Sequence, residues 1–378
     1  MLEELCPMGV PRVRIDDLIA YEQPIKYLVA SKSYDDSHPT PVLTAGQSFL
    51  LGYTNEVHGK YPASKESPVI IFDDFTTAFK WVDFEFKVKS SAMKLLTVRP
   101  GSQITLRYFW YALSTIHIDT SEHARYWISK ISNMEIPLPP LAIQYEIIRI
   151  LDTFKQLEDE LQAELDARLS QFQFYRNTLV TFEINADKDL RWLRMADICY
   201  RKTGIPITAS QMRTMNDPDG DVHVFAGGQT SADVIASKIG GKFIQGPGLI
   251  VKSRGIIDFE YWEGRYSHKS ELWSYQPKSE EVDLKYLYYF FKSRVNDVRA
   301  TAKAGSVKMP QIKVGDIDNY IVPIPSIEKQ HEIVRFLDSF SSLTQDSQSG
   351  LPAEIFARRQ QFEYFKTRLL AFKELDVA

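Results

Sequence analysis

The amino-acid sequence predicts an α+β protein in which two mixed globular domains are joined by two long antiparallel helices. The helices are expected to form a coiled-coil spacer, and an internal repeat is expected to give the chain pseudo-twofold symmetry. Three observations lead to this prediction: a duplicated helical segment, an apolar heptad pattern in each copy, and strand-like runs that precede an aromatic helix in each half. The chain has 378 residues, so each half is long enough to bury its own core.

The duplicated segment is visible by direct comparison of the two halves. Residues 136–154 read IPLPPLAIQYEIIRILDTF and residues 322–340 read VPIPSIEKQHEIVRFLDSF, at a constant offset of 186 residues. The ends of the copies also match, as ARLSQFQFYRNTLV (167–180) and ARRQQFEYFKTRLL (357–370), where the offset is 190. The second copy therefore carries four extra residues. A duplication of this kind predicts that both halves share one architecture.

Weaker similarities continue into the regions between the helices. Three pairs of short segments correspond: VRIDDLI (13–19) with LRMADIC (193–199), VLTAGQS (42–48) with VFAGGQT (224–230), and LRYFWYAL (106–113) with LKYLYYFF (284–291). The helical segments are thus well matched, whereas the globular regions have diverged. We expect the helices to perform the same task twice and the globular regions to perform different tasks.

Each helical copy begins with a Pro-x-Pro lead, which favours extended backbone, and continues with apolar residues spaced by three and four. This spacing predicts one helix over residues 143–180, about 55 Å long at ~1.5 Å per residue. A helix of this length needs a partner to cover its apolar seam, and its own copy at 328–372 is the expected partner. The alternative is a simple core helix pair, which explains the seam equally well but not the duplication.

The second copy contains the insertion DSQSGLP at residues 346–352. Gly350 and Pro352 disfavour a helix interior, by about 1 and about 3 kcal/mol relative to alanine. We therefore expect a kink or a short break in the second helix.

The globular regions combine strand-like runs with aromatic helices. Apolar, aromatic and β-branched residues predict strands at 67–74, 78–88, 93–100, 246–253, 255–264 and 269–277. The aromatic segments 102–116 and 283–298 are expected to be helices, and aromatic residues at helical spacing are most often core residues. The predicted domains are 1–135, a central helix at 136–180, 181–321, and a C-terminal helix at 322–378.

The composition indicates an ordinary globular protein and argues against a disulfide-rich or membrane-spanning one. Hydrophobic residues make up 44% of the chain and charged residues 25%, with a net charge of −4, as in ordinary globular proteins. Cys6 and Cys199 are far apart in sequence, so a disulfide framework is not indicated and a reducing cytoplasmic setting is expected. The N-terminal residues do not resemble a signal peptide, and no apolar stretch approaches the ~20 residues that span a bilayer.

Charge distribution is more informative than net charge. From Lys285 to Lys313 the sequence has seven Lys or Arg and one acid, Asp297. Within this run, Gly305 and Ser306 lie between Lys303 and Lys308, which predicts a flexible basic loop of the kind that suits contacts with nucleic-acid phosphates. A solvated helix surface is an equally good interpretation of the run.

The AGQS and GGQT segments place a glutamine beside glycine, and a glutamine on such a turn can read adenine edges. A purely structural turn is the more common alternative. Loop chemistry suggests the following candidate DNA contacts: Gln47, Lys60, Lys65, Arg125, Gln229, Lys252, Arg254, Lys303, Ser306 and Lys308.

No catalytic constellation is apparent in the sequence. The segment GGKF (240–243) lacks the Ser or Thr of a phosphate-binding loop, and neither His-Glu-x-x-His nor Cys-x-x-Cys occurs. The adjacent carboxylates Asp73 and Asp74 would point to opposite faces of a strand, so they are a poor acid–base pair. We expect no catalytic residue, no cofactor and no metal.

The repeated segments PLPPLAIQYEIIRILDTF and PIPSIEKQHEIVRFLDSF resemble the two conserved regions of the specificity (S) subunit of type I restriction–modification enzymes. The resemblance covers essentially the whole chain, and is specific in the helices and loose in the globular regions. It implies two target-recognition domains, each reading one half of a bipartite asymmetric site in double-stranded DNA. Helices of this kind would set the spacer between the half-sites and dock two methyltransferase subunits, and restriction subunits would join the full complex.

The resemblance also supplies candidates for the docking and spacer role on the helices: Gln144, Arg149, Phe154, Gln330, Arg335 and Phe340. The second copy departs from the pattern, because PIPSIEKQ lacks the second proline of PLPP and the insertion interrupts the helix. The alternative function is a non-enzymatic coiled-coil adaptor whose end domains bind protein partners.

Overall fold

The computed structural model describes residues 6, 9–31, 33–46, 48–120, 124–183, 189–302, 310–346 and 348–374. The chain divides into two compact units. Unit 1 comprises Met1–Glu160 and Ile355–Ala378, and unit 2 comprises Leu161–Glu354. Each unit therefore contains one globular region and a stretch of both long helical segments. None of the helices in the described residues is sufficiently long and apolar to cross a membrane.

Unit 1 begins with a strand and a helical turn and then builds its sheets. Its elements are β1 (Arg12–Arg14), α1 (Ile15–Leu18), β2 (Ile19–Glu22), β3 (Thr40–Leu43), β4 (Leu50–Thr54), β5 (Val69–Asp73), β6 (Phe79–Val82), β7 (Lys87–Val88), β8 (Met93–Val98), α2 (Leu106–Leu113), α3 (Tyr126–Ser129), β9 (Glu135–Pro137) and the long helix α4 (Leu141–Leu179). Two short 3-10 helices lie at Pro24–Tyr27 and Ile131–Asn133.

The strands of unit 1 form three sheets. The largest has the order β2-β8-β5-β6 and is antiparallel throughout. The second has the order β4-β3-β7, in which β3 and β7 run parallel. A third, two-stranded sheet joins β1 to β9.

Unit 2 repeats this plan with additional strands. Its elements are β10 (Arg191–Arg194), α5 (Met195–Ile198), β11 (Cys199–Thr203), α6 (Ala209–Met215), β12 (Val222–Phe225), β13 (Ser231–Val234), a 3-10 helix at Ala236–Ile239, β14 (Ile244–Gln245), β15 (Gly248–Lys252), β16 (Asp258–Trp262), β17 (Arg265–His268), β18 (Trp273–Pro277), α7 (Leu284–Ser293), α8 (Val295–Thr301), α9 (Val314–Asp318), β19 (Ile321–Ile324), α10 (Ile327–Gln345) and the start of α11 (Gly350–Leu370).

The sheets of unit 2 correspond to those of unit 1 one by one. The order β11-β18-β15-β16 matches β2-β8-β5-β6, and β10 pairs with β19 as β1 pairs with β9. The sheet β13-β12-β17-β14 also keeps the parallel pair, here β12 with β17, and adds an edge strand. The duplication predicted from sequence is therefore confirmed in the three-dimensional fold.

Most of the predicted strands are confirmed, and one run is divided. Residues 78–88 were expected to form a single strand but supply β6 and β7, which belong to different sheets. The division arises because β7 pairs in parallel with β3 rather than continuing along β5. In unit 2, the predicted helix at 283–298 is likewise divided into α7 and α8.

The aromatic helices are core elements, as the more common interpretation of their spacing predicted. In unit 1, Tyr108 and Phe109 of α2 are fully buried. In unit 2, Phe291 of α7 stacks on Phe259 of β16, with 4.6 Å between ring centroids and an interplanar angle of 23°. Each aromatic helix therefore closes the main sheet of its unit.

The long helix is attached to the globular region of unit 1 by a buried glutamine. The side-chain amide nitrogen of Gln144 donates to the carbonyl oxygens of Gln103, at 2.8 Å, and Pro139, at 2.9 Å. Its amide oxygen accepts from the backbone N–H of Thr105 at 2.9 Å. Gln144 has no exposed surface, so water does not compete for these bonds.

The same attachment occurs in unit 2. The side-chain amide nitrogen of Gln330 donates to the carbonyl oxygens of Glu281 and Pro325, both at 2.9 Å. Its amide oxygen accepts from the backbone N–H of Asp283 at 2.8 Å. Gln330 is also fully buried, so each copy of the repeated glutamine bridges its helix to the start of the aromatic helix.

A repeated aspartate, two turns further along the helix, makes a second attachment. In unit 1, the Tyr111 hydroxyl donates to Asp152 at 2.5 Å, and the Arg107 guanidinium pairs with the same carboxylate at 2.7 Å. Burial, together with this carboxylate, holds the pKa of Tyr111 above its ordinary value. The hydroxyl therefore keeps its proton and remains a donor.

Asp338 of unit 2 receives the corresponding pair of contacts. The Tyr289 hydroxyl donates to Asp338 at 2.6 Å, and the Lys285 ammonium pairs with it at 2.8 Å. We use the word joint for these glutamine and aspartate contacts, centred on Gln144 and Asp152 in unit 1 and on Gln330 and Asp338 in unit 2. The joint is thus kept in both copies, although an arginine in one is replaced by a lysine in the other.

The helix α4 is continuous over 39 residues, as the spacing predicted. Within unit 1 it runs antiparallel to α11, because Phe154 stacks on Phe365 at 5.2 Å and Glu158 pairs with Arg359 at 2.6 Å. Within unit 2, Tyr175 of α4 packs against Phe340 of α10, with 5.6 Å between ring centroids.

The predicted break in the second helix is confirmed. The helix α10 ends at Gln345 and α11 begins at Gly350, which has a positive φ of 76°. The Asp346 carboxylate accepts from the backbone N–H of Gln348 at 2.8 Å and so stabilises the turn between the helices. Pro352 lies in the first turn of α11, where a backbone N–H has no helical partner, so the proline is tolerated.

The joint leads to a stability prediction. Gln144→Ala removes four hydrogen bonds of a buried side chain and Gln330→Ala removes three. Each change leaves a backbone N–H and two carbonyls without their partner, which should lower the free energy of unfolding by on the order of 3 kcal/mol. Gln156→Ala, on the exposed face of α4, is the control and should change it by less than about 0.5 kcal/mol. Chemical denaturation of the full chain would measure both, and equal effects in all three variants would contradict the role given to the joint.

Candidate nucleic-acid interface

The GGQT segment of unit 2 forms a turn at the end of β12. The backbone N–H of Ala226 donates to the carbonyl oxygen of Thr230 at 3.0 Å and closes the turn. Gly228 has a φ of 67°, in the left-handed region that favours glycine. Gln229 is exposed on this turn, as a side chain that reads a ligand must be.

A buried lysine on the inner side of the turn contacts and stabilises it. Lys252, the last residue of β15, is 4% exposed. Its ammonium donates to the carbonyl oxygen of Gly228 and forms an ion pair with Glu260 of β16. The prediction that Lys252 contacts DNA is not supported by this geometry, because both of its contacts are internal and its charge is already neutralised.

A cavity of about 440 Å³ lies beside the turn. The turn itself forms one wall, and Arg254, Gly255 and Ile256 form another. Arg254 is exposed, and Ile256 is 60% exposed, which is high for an isoleucine. The cavity is therefore an open surface lined by a guanidinium group and apolar atoms, and the exposed Gln229 lies on the turn between two of the lining residues, Gly228 and Thr230.

The chain that follows the predicted basic loop is fixed at this cavity. Gly255 donates to the carbonyl oxygen of Pro310, and Ile312 donates to that of Ser253, both at 3.0 Å. Residues 310–312 are thus anchored beside Arg254. The candidates Lys303, Ser306 and Lys308 precede this anchor by a few residues and lie outside the described residues.

Unit 1 holds its corresponding turn by different contacts. After β3, the backbone N–H of Ala45 donates to the sulfur of Met93 at 3.1 Å. The residue that corresponds to Lys252 at the end of the matching strand is Asp73, whose carboxylate accepts from the backbone of Phe75 and so supports a neighbouring turn. Gln47 lies outside the described residues.

The other candidates of unit 1 are dispersed. Lys60 forms an ion pair with Glu85, so part of its charge is neutralised. Lys65 is exposed, and Arg125 is exposed at the start of α3. Their contacts with DNA remain predictions.

Much of the basic run at 285–313 is paired within unit 2. Lys285 pairs with Asp338 at 2.8 Å, and Lys292 pairs with Asp258 at 2.9 Å. Arg299 donates to the carbonyl oxygen of Ile257 at 2.8 Å. These cations stabilise the fold through internal partners. The basic run therefore presents less positive charge to DNA phosphates than its composition indicates.

Two of the docking and spacer candidates lie inside the protein. Gln144 and Gln330 are fully buried and hydrogen-bonded within the joint, so they offer no surface to a partner subunit. A part in the spacer remains a prediction. The side chains of Phe154 and Phe340 are half-buried against Phe365 and Tyr175.

The two arginine candidates are accessible. Arg149 is exposed and pairs with Glu146 at 2.6 Å. The exposed Arg335 lines a shallow cavity of about 330 Å³ with His331 and Asp283. Docking through these arginines remains a prediction.

A buried histidine lies in the sheet next to the turn. His268, opposite Phe225 in the register of β12 with β17, is fully buried, and burial lowers its pKa. It is therefore neutral near pH 7 and lies 3.1 Å from the Ser274 hydroxyl. Among the described residues, no group of His, Cys, Asp or Glu is arranged to hold a metal ion.

Sequence reasoning missed several residues that shape these sites. Asp152 and Asp338 matched in the repeat but were given no role, although their retention in both copies was a usable signal. Glu260 and Met93 carried no such signal, because their partners come from distant segments of the chain.

Comparison with known proteins is decisive for the family. The family model described as the type I restriction modification DNA specificity domain matches residues 9–171 and 194–357. The chain belongs to this family. The two matches fall on the two halves of the repeat, one for each copy of a specificity domain.

Individual relatives agree with the specificity-domain assignment. The chain is 36% identical to the type I restriction enzyme EcoR124I/EcoR124II specificity subunit of Escherichia coli, over 95% of this chain and 93% of the relative. It is 24% identical to a putative type I restriction enzyme specificity subunit of Haemophilus influenzae, over 86% of each chain.

Solved structures show the same fold. The S subunit of a type I restriction–modification system from M. genitalium matches with a TM-score of 0.61 and 13% identity, over 95% of this chain and 96% of that chain. A chain from a structure on complex assembly and conformational transition of the type I R-M system matches with a TM-score of 0.53 and 15% identity, over 96% of both chains.

Proposed function

We propose that this chain is the sequence-specific DNA-recognition subunit of a type I restriction–modification complex. The target-recognition domains, residues 1–135 and 181–321, each read one half of a bipartite asymmetric site in double-stranded DNA. The helical segments 136–180 and 322–378 set the spacer between the half-sites and dock two methyltransferase subunits. Restriction subunits join in the full complex.

The observation that carries this proposal is the contrast between the joint and the turns. Both units keep the same joint, with a buried glutamine and an aspartate in each copy. The segments that follow β3 and β12 are supported by different side chains, Met93 in one unit and Lys252 in the other. A repeated frame with two different reading surfaces is what recognition of an asymmetric site requires.

The chain itself has no catalytic part in this proposal. Methylation and cleavage belong to the partner subunits, so the chain needs no cofactor of its own. We also propose a cytoplasmic location. Both cysteines are free, and burial raises the pKa of Cys199 to about 12, so its thiol stays protonated.

The alternative function is a coiled-coil adaptor that binds proteins through its end domains. The duplication and the long helices fit that function equally well. Membership of a DNA specificity family favours DNA recognition instead.

Salt dependence of DNA binding tests the proposed function. The chain assembled with its methyltransferase subunits should bind its target duplex at low salt, and log affinity should fall linearly with log salt, by ~0.9 for each phosphate contact. A filter-binding or fluorescence titration at several salt concentrations would measure this slope. An assembly that binds no duplex with sequence preference at low salt would show that the proposal is wrong.

Two substitutions should separate base reading from phosphate contact. Arg254→Ala should lower discrimination at one position of the target by about 1–3 kcal/mol, because a guanidinium group reads a base edge with two hydrogen bonds. Lys65→Ala should weaken binding to all sequences alike and reduce the salt slope by about 1. Titrations against duplexes with single base-pair changes would distinguish these patterns, and a uniform effect of Arg254→Ala would contradict base reading.

The spacer role predicts a change in the gap between half-sites. Deletion of Ala163–Asp166 removes about one turn of α4, or ~6 Å, which approaches the rise of about two base pairs. We expect the tolerated gap to shorten by about one or two base pairs in methylation profiling. Replacement of the same residues by alanines keeps the length and is the control. A gap that is unchanged by the deletion in a folded complex would exclude the spacer role.

A further inference from the structure

The turn that carries Gln229 has a support of its own inside unit 2. We propose that Lys252 is a positioning residue for base reading: through Gly228 it fixes this turn beside a cavity that receives the edge of one DNA base. The inference rests on the proposed function and deepens it, because it names the site and the side chain that holds it in place.

The contacts of Lys252 hold the turn against the main sheet, and we call this side chain a pin in that sense. A buried ammonium is costly unless its charge is paired and its hydrogens are accepted. Glu260 supplies the charge, and the carbonyl oxygen of Gly228 supplies an acceptor on the turn. The lysine thereby ties the turn to β15 and β16, two paired strands of the main sheet.

The turn needs such a pin because its backbone is permissive. Gly227 and Gly228 precede Gln229, and an added Cβ on Gly228 would meet no atom within 4 Å. The outer side of the turn is thus open, and neighbouring side chains do not confine it. Reading a base edge requires a side chain held to within ~0.5 Å, which a glycine turn does not ensure without support.

The cavity has the chemistry of a base-reading surface. Arg254, in the lining, can donate two hydrogen bonds to a guanine edge, and Ile256 offers an apolar contact for a thymine methyl group. Gln229, on the turn between the lining residues Gly228 and Thr230, can form paired hydrogen bonds with an adenine edge. Leu272 and Ala226 add apolar lining beneath them. Lys269 and Glu271 also line the cavity but are paired with each other at 2.7 Å, so they contribute little net charge.

Unit 1 provides an internal contrast. Its turn is held by the Met93 sulfur, and the position that corresponds to Lys252 is Asp73. The pin is therefore specific to unit 2, and its removal should affect one half-site only.

The test is Lys252→Met in the chain assembled with its methyltransferase subunits. Methionine keeps an unbranched side chain as far as the ε position and removes the ammonium group, and Glu260, whose side chain is 38% exposed, can be solvated after the change. Dissociation constants are measured for the target duplex and for duplexes with single base-pair changes in either half-site. Discrimination should fall roughly 10-fold or more in the half-site that Arg254→Ala also impairs, and stay unchanged in the other. Unchanged discrimination in both half-sites, or an equal loss in both, would overturn the inference.

Lys238→Met is the matched control, because this lysine pairs with Asp217 in the same unit but does not contact the turn. It should leave discrimination unchanged, and a loss equal to that of Lys252→Met would overturn the inference. Thermal unfolding of each variant shows whether the fold is kept.

If Lys252→Met fails to fold, Gly228→Ala takes its place. This change strains the backbone of the turn at a φ of 67° but leaves the ion pair of Lys252 with Glu260 in position. The same one-sided loss of discrimination is expected, and full discrimination would overturn the inference. Failure of the proposed function is a separate outcome, since the unmodified assembly would then show no sequence preference at all.

Discussion

The buried glutamine of the joint is the interaction on which the rest of the structure depends. Gln144 and Gln330 each connect three parts of their unit: the proline lead, the segment before the aromatic helix, and the long helix itself. One amide group uses both donors and its acceptor in a site closed to solvent, so the helix has one register against the globular region. The aspartates two turns later repeat that constraint. Each globular region is therefore held at a defined place along its helix.

A rigid joint makes divergence elsewhere possible. The order of the main sheet and the joint contacts are the same in both units, whereas the turns after β3 and β12 are held by a thioether in one unit and an ammonium group in the other. A surface that changes without disturbing the frame can acquire a new target while the geometry of the assembly is kept. This division follows from the location of the joint, which lies where the helix meets the globular region and away from the turns.

Fewer cations are available for contact with DNA than the sequence indicates. Lys285, Lys292 and Arg299 stabilise unit 2 through internal partners, and Lys252 is buried in an ion pair. Exposed cations such as Arg254 and Lys65 are consequently the better candidates for contact with a phosphate or a base. A chain with a net charge of −4 can bind DNA through a few such groups, because local charge determines contact with phosphates.

The sequence by itself determined the duplication, the continuous helix over Leu141–Leu179 and the break before Gly350, because repeats, apolar spacing and Gly or Pro act locally along the chain. Only the tertiary structure showed which segments pack against each face of the long helices. Leu151 and Gln144 of the long helix are both fully buried against the globular region, which the repeat alone did not show. Lys252 and Glu260 became partners through the pairing of β15 with β16. Periodicity shows which residues share a face of a helix, but burial and partners depend on segments that are distant in sequence.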